Sequence, residues 1–176
     1  DFNAIHMRKE PPFDLTYITA TWLLDEVAND VKIFNDPNSL RSFNEKLGIL
    51  QFKESIEPAF VSSRASEMLA FIKQACHGDA IIKPLDLYGG KGIFRLNLRD
   101  MDDKTALVRL KEASSDGAQW RMVQPFKHQV FEGEVRAFTL GGEILSWCLK
   151  KPLQDSCLAN TGAGATIHPY KPSQNL

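Results

Sequence analysis

Lys83-Pro84-Leu85-Asp86-Leu87-Tyr88-Gly89-Gly90-Lys91-Gly92-Ile93-Phe94-Arg95 is a glycine-dense turn set between two stretches that read as strands. Ahead of it, Ala80-Ile81-Ile82-Lys83 is a short apolar run ending in a cation. Behind it, Phe94, Leu96 and Leu98 alternate with Ile93, Arg95 and Asn97, the period-2 pattern of a strand with two unlike faces. Gly89, Gly90 and Gly92 let the backbone take conformations closed to other residues, and they leave amide N–H groups uncovered by side chains. Uncovered amides beside a lysine suit a phosphate. A glycine-rich hairpin without any ligand fits the same stretch, and the stretch by itself leaves both readings open.

Other phosphate-binding patterns fit less well. A Walker loop opens a helix after Gly-Lys-Ser/Thr, whereas Lys91 is followed by Gly92 and a strand. The dinucleotide fingerprint needs a third glycine where Arg95 stands. A protein kinase places its phosphate lysine after the glycine loop, and Lys83 comes before it.

The 176 residues suffice for one domain, or for one domain and part of another. With 43% hydrophobic and 24% charged residues the chain has the composition of an ordinary globular protein. A net charge of −1 gives no overall field for nucleic acid or an anionic membrane, so an anion site has to be local. The three cysteines, Cys76, Cys148 and Cys157, are odd in number and far apart, which argues against a disulfide framework or a zinc site and for a reducing, cytoplasmic setting. The four histidines are too scattered for a metal-ligand pattern. No apolar run approaches a membrane span and no signal peptide is visible. Asp1 opens the chain directly into a strand-like stretch and a polar stretch, 169–176, closes it, so a piece of a longer polypeptide is expected.

Around the glycine turn the pattern is α+β. Residues 4–7 read as a strand, Pro11 and Pro12 as an extended turn, and Asp14 as the cap of a helix with Leu15, Ile18, Trp22 and Leu23 on one face. Residues 31–34 form the next strand, closed by Asn35-Asp36-Pro37-Asn38, and this β-α-β order is the edge of a parallel α/β sheet. A short solvated helix is expected over 39–47 and a strand over 59–61. Ser62 or Ser63 caps a helix carrying Met68, Leu69, Ile72 and Cys76; Asp102 or Asp103 caps another carrying Ala106, Leu107, Leu110 and Ala113. With a strand over 119–126 these elements make a mixed sheet covered by two helices. Strands over 130–140 and 143–149 flank Gly141-Gly142, a two-residue loop of type I′ or II′. Glu132, Glu134 and Arg136 share one face of the first, either wetted or lining a polar site. Two strands are too few for a stable sheet, so the remainder of that unit is expected beyond Leu176. The division expected is 1–38, the tail of an α/β domain; 39–127, a nucleotide-binding subdomain; and 128–176, the start of a second subdomain.

Met7-Arg8-Lys9-Glu10-Pro11-Pro12-Phe13-Asp14, Tyr17-Ile18-x-Ala20-Thr21-x-Leu23, Asn44-Glu45-Lys46-Leu47, Ile82-Lys83-Pro84-Leu85-Asp86-x-x-Gly89-Gly90 and Ile93-Phe94-Arg95 together resemble the bacterial, prokaryotic-type glutathione synthetases of the ATP-grasp superfamily. The blocks keep the family's order and spacing over residues 4–149. The resemblance implies an incomplete ATP-grasp fold, lacking the first substrate-binding stretch and the C-terminal metal-binding part. It implies an ATP-dependent ligase that makes a peptide bond through an acyl phosphate, joining γ-glutamylcysteine to glycine. Another acid and amine pair, or a non-catalytic nucleotide-binding fragment, are the alternatives. ATP and Mg2+ are the implied cofactors, with the metal ligands beyond the end of this chain. The implied partners are these small molecules and further copies of the chain in a homo-oligomer, with neither nucleic acid nor membrane.

Carried residue by residue, the resemblance places Lys46 and Lys83 on the ATP phosphates and Gly89-Gly90-Lys91-Gly92 over them as a lid. Val123, Gln124, Pro125 and Phe126 resemble the hinge that meets adenine, Glu134 the acidic position near the ribose, and Arg136 the arginine near the transferred phosphoryl group. Arg8 and Asn160 resemble substrate-side residues, and Lys151 stands where the family carries an arginine with a catalytic role. Beyond Leu149 the family continues Ala-Arg-Ile-Pro and then a loop with a further arginine; here the text is Lys150-Lys151-Pro152-Leu153-Gln154-Asp155-Ser156-Cys157-Leu158-Ala159-Asn160, with no counterpart to that loop arginine. Lysine keeps the charge but loses the bidentate fork.

Overall fold

The computed structural model describes residues 2–9, 12–154 and 156–172. The expected turn at Pro11, the loop position Asp155 and the end of the polar tail at 173–176 lie outside the described residues. The strands are β1 (Ala4–His6), β2 (Lys32–Phe34), β3 (Phe60–Ser62), β4 (Asp79–Pro84), β5 (Phe94–Asn97), β6 (Arg121–Pro125), β7 (Glu134–Leu140), β8 (Glu143–Lys151) and β9 (Thr166–Pro169). The α-helices are α1 (Leu15–Asp25), α2 (Pro37–Ser42), α3 (Ala65–Ala75) and α4 (Asp103–Ala113). The chain divides into two units, Asp1–Phe126 and Lys127–Leu176.

The first unit is built around the hairpin that carries the glycine turn. Along β4, Ala80, Ile82 and Pro84 are buried while Asp79, Ile81 and Lys83 are half-buried on the other face, as a two-sided strand requires. β4 pairs with β5 through Ile82↔Phe94 and Ala80↔Leu96, and with β6 through Ile82↔Val123, giving the order β3-β6-β4-β5. The mixed sheet expected from the sequence is instead antiparallel at every pairing, because β6 inserts between β3 and β4. β3 and β4 therefore run the same way on either side of it, a split β-α-β unit.

Helices α3 and α4 cover the apolar face of this sheet. Met68, Ile72, Ala106 and Leu110 are fully buried against Ala80, Ile82, Leu96 and Val123, in the helical spacing read from the sequence. The α3 cap differs from expectation. Arg64 occupies the N-cap position, while the Ser62 hydroxyl accepts from the Arg64 N–H (2.9 Å) and donates to Glu67 (2.7 Å). Asp102 caps α4, accepting from the Thr105 N–H at 2.8 Å.

β1 and β2 pair in parallel, Ile5↔Ile33, with α1 between them in the chain. Asp14 caps α1 through the Tyr17 N–H at 2.8 Å. The face expected to be buried is not: Leu15, Trp22 and Leu23 are exposed, and Tyr17 and Thr21 turn inward. Tyr17 lies 5.1 Å from the Phe13 ring, and Thr21 tolerates burial because its hydroxyl donates to the Ile18 carbonyl at 2.7 Å. The helix expected over 39–47 also moves. Asp36 accepts from the Ser39 N–H at 2.7 Å and Pro37 sits in the first turn, so the pair starts α2 instead of closing the strand before it. Lys46 then lies outside α2, at the head of a 3-10 segment, Leu47–Ser55.

The Ser39 amide and hydroxyl hold the Asp36 carboxyl below its ordinary 3.8, and the Thr105 hydroxyl and amide do the same for Asp102. Depressed carboxylates stabilise the fold above their unfolded value and cease to do so as pH falls through the folded one. Asp102→Asn keeps a capping side chain but cannot titrate, so its melting temperature is expected to fall less steeply than the wild type's between about pH 5 and about pH 2. Thermal melts of both proteins across that range check this.

The second unit is a three-stranded antiparallel sheet, β7-β8-β9. Gly141 and Gly142 both take positive φ (60° and 87°), which selects the type I′ turn. Two expectations are corrected here. The first strand starts at Glu134, since His128–Phe131 forms a 3-10 turn, and part of the stretch read as loop and tail is β9, paired to β8 through Leu149↔His168.

Candidate functional site

The glycine turn, residues 85–93, is closed by two of its own amides: the Lys91 N–H donates to the Tyr88 carbonyl (3.2 Å) and the Ile93 N–H to that of Gly90 (3.2 Å). Gly89, Gly90 and Gly92 take φ of 66°, 81° and 68°, values that a side chain would strain. A Cβ on Gly89 would meet nothing within 4 Å, so the tip of the turn is open. The Lys91 ammonium rests over the Tyr88 ring, 5.0 Å from its centroid.

Two further lysines attend this turn. Asn44 Oδ1 accepts from the Lys46 and Leu47 amides (3.0 Å each), which fixes the chain direction ahead of the 3-10 segment. From there the Lys46 side chain, 12% exposed, reaches the Leu87 carbonyl at 2.5 Å, with Glu45 Oε1 3.7 Å away. Lys83, the last outward residue of β4, donates to Gln124 Oε1 at 2.9 Å. The Phe13 amide also reaches the turn, at the Asp86 carbonyl (3.4 Å). Lys46 thus touches the turn at Leu87 and Lys83 stands at the strand end that leads into it, and cations with glycine amides are donors of the kind that fit the anionic tail of a nucleotide.

The sheet face opposite the helices continues the site. Ile81, Arg95 and Gln124 stand in register across β5, β4 and β6. Beyond Gln124, Pro125 pairs with Ala80 and the Phe126 N–H donates to the Asp79 carbonyl at 3.0 Å. Val123 belongs to the core side. Arg95 and Asp79, which the sequence reading did not single out, form a forked pair: Nε to Oδ1 at 2.7 Å and Nη2 to Oδ2 at 2.6 Å. The Arg95 guanidinium also lies over the Phe126 ring at 4.1 Å. Arg95 showed in the sequence as an alternating charge of β5 and within the block Ile93-Phe94-Arg95, without a role; its partner was not legible.

In the second unit, Glu134 and Arg136 share a face of β7, 3.7 Å apart and each about half exposed. Their cross-strand partners are Lys150 and Cys148. Lys150, 8% exposed, is therefore the cation on the Arg136 face, whereas Lys151 is exposed on the opposite face across from Thr166. Asn160 heads the short 3-10 turn Thr161–Ala163, its carbonyl accepting from the Ala163 (2.9 Å) and Ala165 (3.2 Å) amides. Arg8, in the first unit, is exposed just past β1.

Among the described residues no group of three or more His, Cys, Asp or Glu is arranged to hold a metal ion. No described helix is long and apolar enough to cross a membrane. Burial pushes the Cys76 thiol up to about 11, which keeps it protonated and a weak nucleophile at neutral pH.

The sequence profile described as "Prokaryotic glutathione synthetase, ATP-grasp domain" matches residues 45–174, and that of the "Prokaryotic glutathione synthetase, N-terminal domain" matches residues 1–41. The chain belongs to the prokaryotic glutathione synthetase family. The resemblance read in the sequence is thereby borne out. Glutathione synthetase of Neisseria meningitidis serogroup B is 38% identical over 165 residues, 93% of this chain and 50% of that protein. The Vibrio cholerae glutathione synthetase is 36% identical over 171 residues, 96% of this chain and 52% of that one. The chain thus spans about half the length of these curated relatives. Among solved structures, D-cycloserine synthetase DcsG aligns with a TM-score of 0.64 at 16% identity, over 96% of this chain and 56% of that one. An ATP-grasp RimK domain protein from Sphaerobacter thermophilus aligns at 0.63 and 17%, over 85% of this chain and 55% of that one. These likenesses show the ATP-grasp fold for this glutathione synthetase family member, in the α+β class expected.

Proposed function

We propose that the protein carrying this chain is an ATP-dependent ligase that joins γ-glutamylcysteine to glycine, activating the carboxylate as an acyl phosphate. The observation that carries this reading is the convergence of Lys46 and the glycine turn at Leu87, with Lys83 rising from the adjoining strand end. Bringing a carboxylate to a triphosphate sets two anions together, and cations must offset that repulsion before attack is possible. Lys46 and Lys83 do so on the nucleotide side, Arg136 at the transferred phosphoryl, and Glu134 accepts from the ribose. Gln124, Pro125 and Phe126 meet the base, Arg8 and Asn160 serve the peptide substrate, and Lys151 takes the catalytic place of the family's arginine. Magnesium, where bound, would neutralise phosphate charge.

An acyl phosphate hydrolyses, so water has to be kept out, and the turn, open at its Gly89 tip, is suited to close over the phosphates. No nucleophilic serine or cysteine is needed. We further assign 1–38 to the tail of an N-terminal α/β domain, 39–127 to the nucleotide-binding subdomain and 128–176 to the start of the second, in a cytoplasmic homo-oligomer that keeps its free thiols reduced.

One observation favours a second reading. Lys151, which stands for the family's arginine, lies on the strand face opposite Arg136, and a lysine cannot fork onto a carboxylate. A ligase of another acid and amine would accommodate that change. Coupled ADP release by the intact protein decides between them. Turnover with γ-glutamylcysteine and glycine supports the first; silence with that pair and turnover with another acid and amine rejects it.

A further inference from the structure

Asp79 at the start of β4, Arg95 within β5 and Phe126 just past β6 meet, and their contacts form a closed circuit. The Asp79 carbonyl accepts the Phe126 N–H at 3.0 Å, and the Asp79 carboxylate takes the Arg95 fork at 2.7 and 2.6 Å. The same guanidinium covers the Phe126 ring at 4.1 Å, and the ring is 9% exposed. One residue of β4 thus holds the chain after β6 twice, once through its backbone and once through Arg95. A planar guanidinium can serve a carboxylate with its edge and an aromatic ring with its face at the same time, which an ammonium cannot.

We infer that Arg95 is a positioning residue for nucleotide-base recognition: by locking Phe126 onto Asp79 it sets the path of residues 124–126. The inference rests on the reading of that stretch as the segment that meets the base. Base recognition by backbone groups depends on where the backbone runs, since hydrogen bonds weaken steeply with misalignment. Pro125 adds no N–H of its own, so the segment's direction depends on the groups on either side of it. On one side Gln124 is held in the sheet opposite Ile81; on the other Phe126 is held by the circuit. Arg95 is remote in role from the phosphate lysines, and its effect should be confined to the base.

The test is calorimetric titration of the intact protein with two probes, ATP and inorganic tripolyphosphate, in the same magnesium-containing buffer. For Arg95→Met, ATP affinity is expected to fall about tenfold while tripolyphosphate affinity stays at the wild-type value. Asp79→Asn, which keeps size and loses the charge, is expected to act in the same direction, and Arg95→Lys is expected not to rescue. Phe126→Ala tests the underlying reading separately, by abolishing the preference for ATP over tripolyphosphate. Unchanged ATP affinity in both Arg95→Met and Asp79→Asn, or equal losses for both probes, overturns the positioning role. A wild type that binds ATP no better than tripolyphosphate overturns the base-contacting reading itself.

Discussion

Lys83→Ala is expected to cost the protein its grip on ATP, raising Kd by roughly 30- to 150-fold, the equivalent of about 2–3 kcal/mol for a charge-assisted contact removed from a phosphate. The lysine leaves the sheet at the last outward position of β4, where its ammonium donates to Gln124 Oε1 at 2.9 Å. Because the aliphatic stem is only half-buried, folding should survive the truncation. Titration with ATP alongside a thermal melt separates the two effects: a large loss of affinity with a near-native melt supports the assignment, and an unchanged Kd rejects it.

Leu110→Ala should be the most damaging of the conservative core truncations on α4. Leu110 is fully buried, facing Met68, Ile72 and the apolar side of the sheet. Emptying such a site costs about 2.7–5 kcal/mol, through lost transfer energy and an unfilled cavity. Against a typical stability of about 5–15 kcal/mol, that is a large fraction. Val108 on the same helix is 49% exposed, and Val108→Ala should stay within about 0.5 kcal/mol. Urea unfolding of the two variants checks the contrast. Similar midpoints would mean that α4 does not pack on the sheet through Leu110.

What the sequence revealed, and what it hid, follows from the range of each interaction. Caps at Asp14 and Asp102 involve amides three residues away and were legible. So was the buried stripe of α3 and α4, because each helix has one apolar face. α1 has more than one candidate stripe: periodicity finds Leu15, Trp22 and Leu23 but cannot say that Tyr17 and Thr21 face inward. β9 escaped because both its faces are exposed, leaving no alternation to read. Asp36-Pro37 reads equally as a turn and as a helix start, and only the chain beyond decides.

The same holds for the candidate site. Lys83 and the glycines were visible as one local stretch, whereas the approach of Lys46 to Leu87 joins residues 41 apart in sequence. Family resemblance, not spacing, pointed to Lys46. The Arg95 fork on Asp79 spans 16 residues and depends on the β4–β5 register, which no local pattern encodes. Lys150 went unnoticed because two adjacent lysines look alike until the strand phase assigns one of them to the Arg136 face.

The measurement that tests the central claim most directly is a crystal structure of the intact protein with a non-hydrolysable ATP analogue and magnesium. The account predicts phosphate oxygens within hydrogen-bonding distance of Lys83 Nζ and of amides in the Gly89 to Gly92 turn. A triphosphate bound elsewhere, with Lys83 still on Gln124 and the glycine turn in contact with solvent alone, would contradict it.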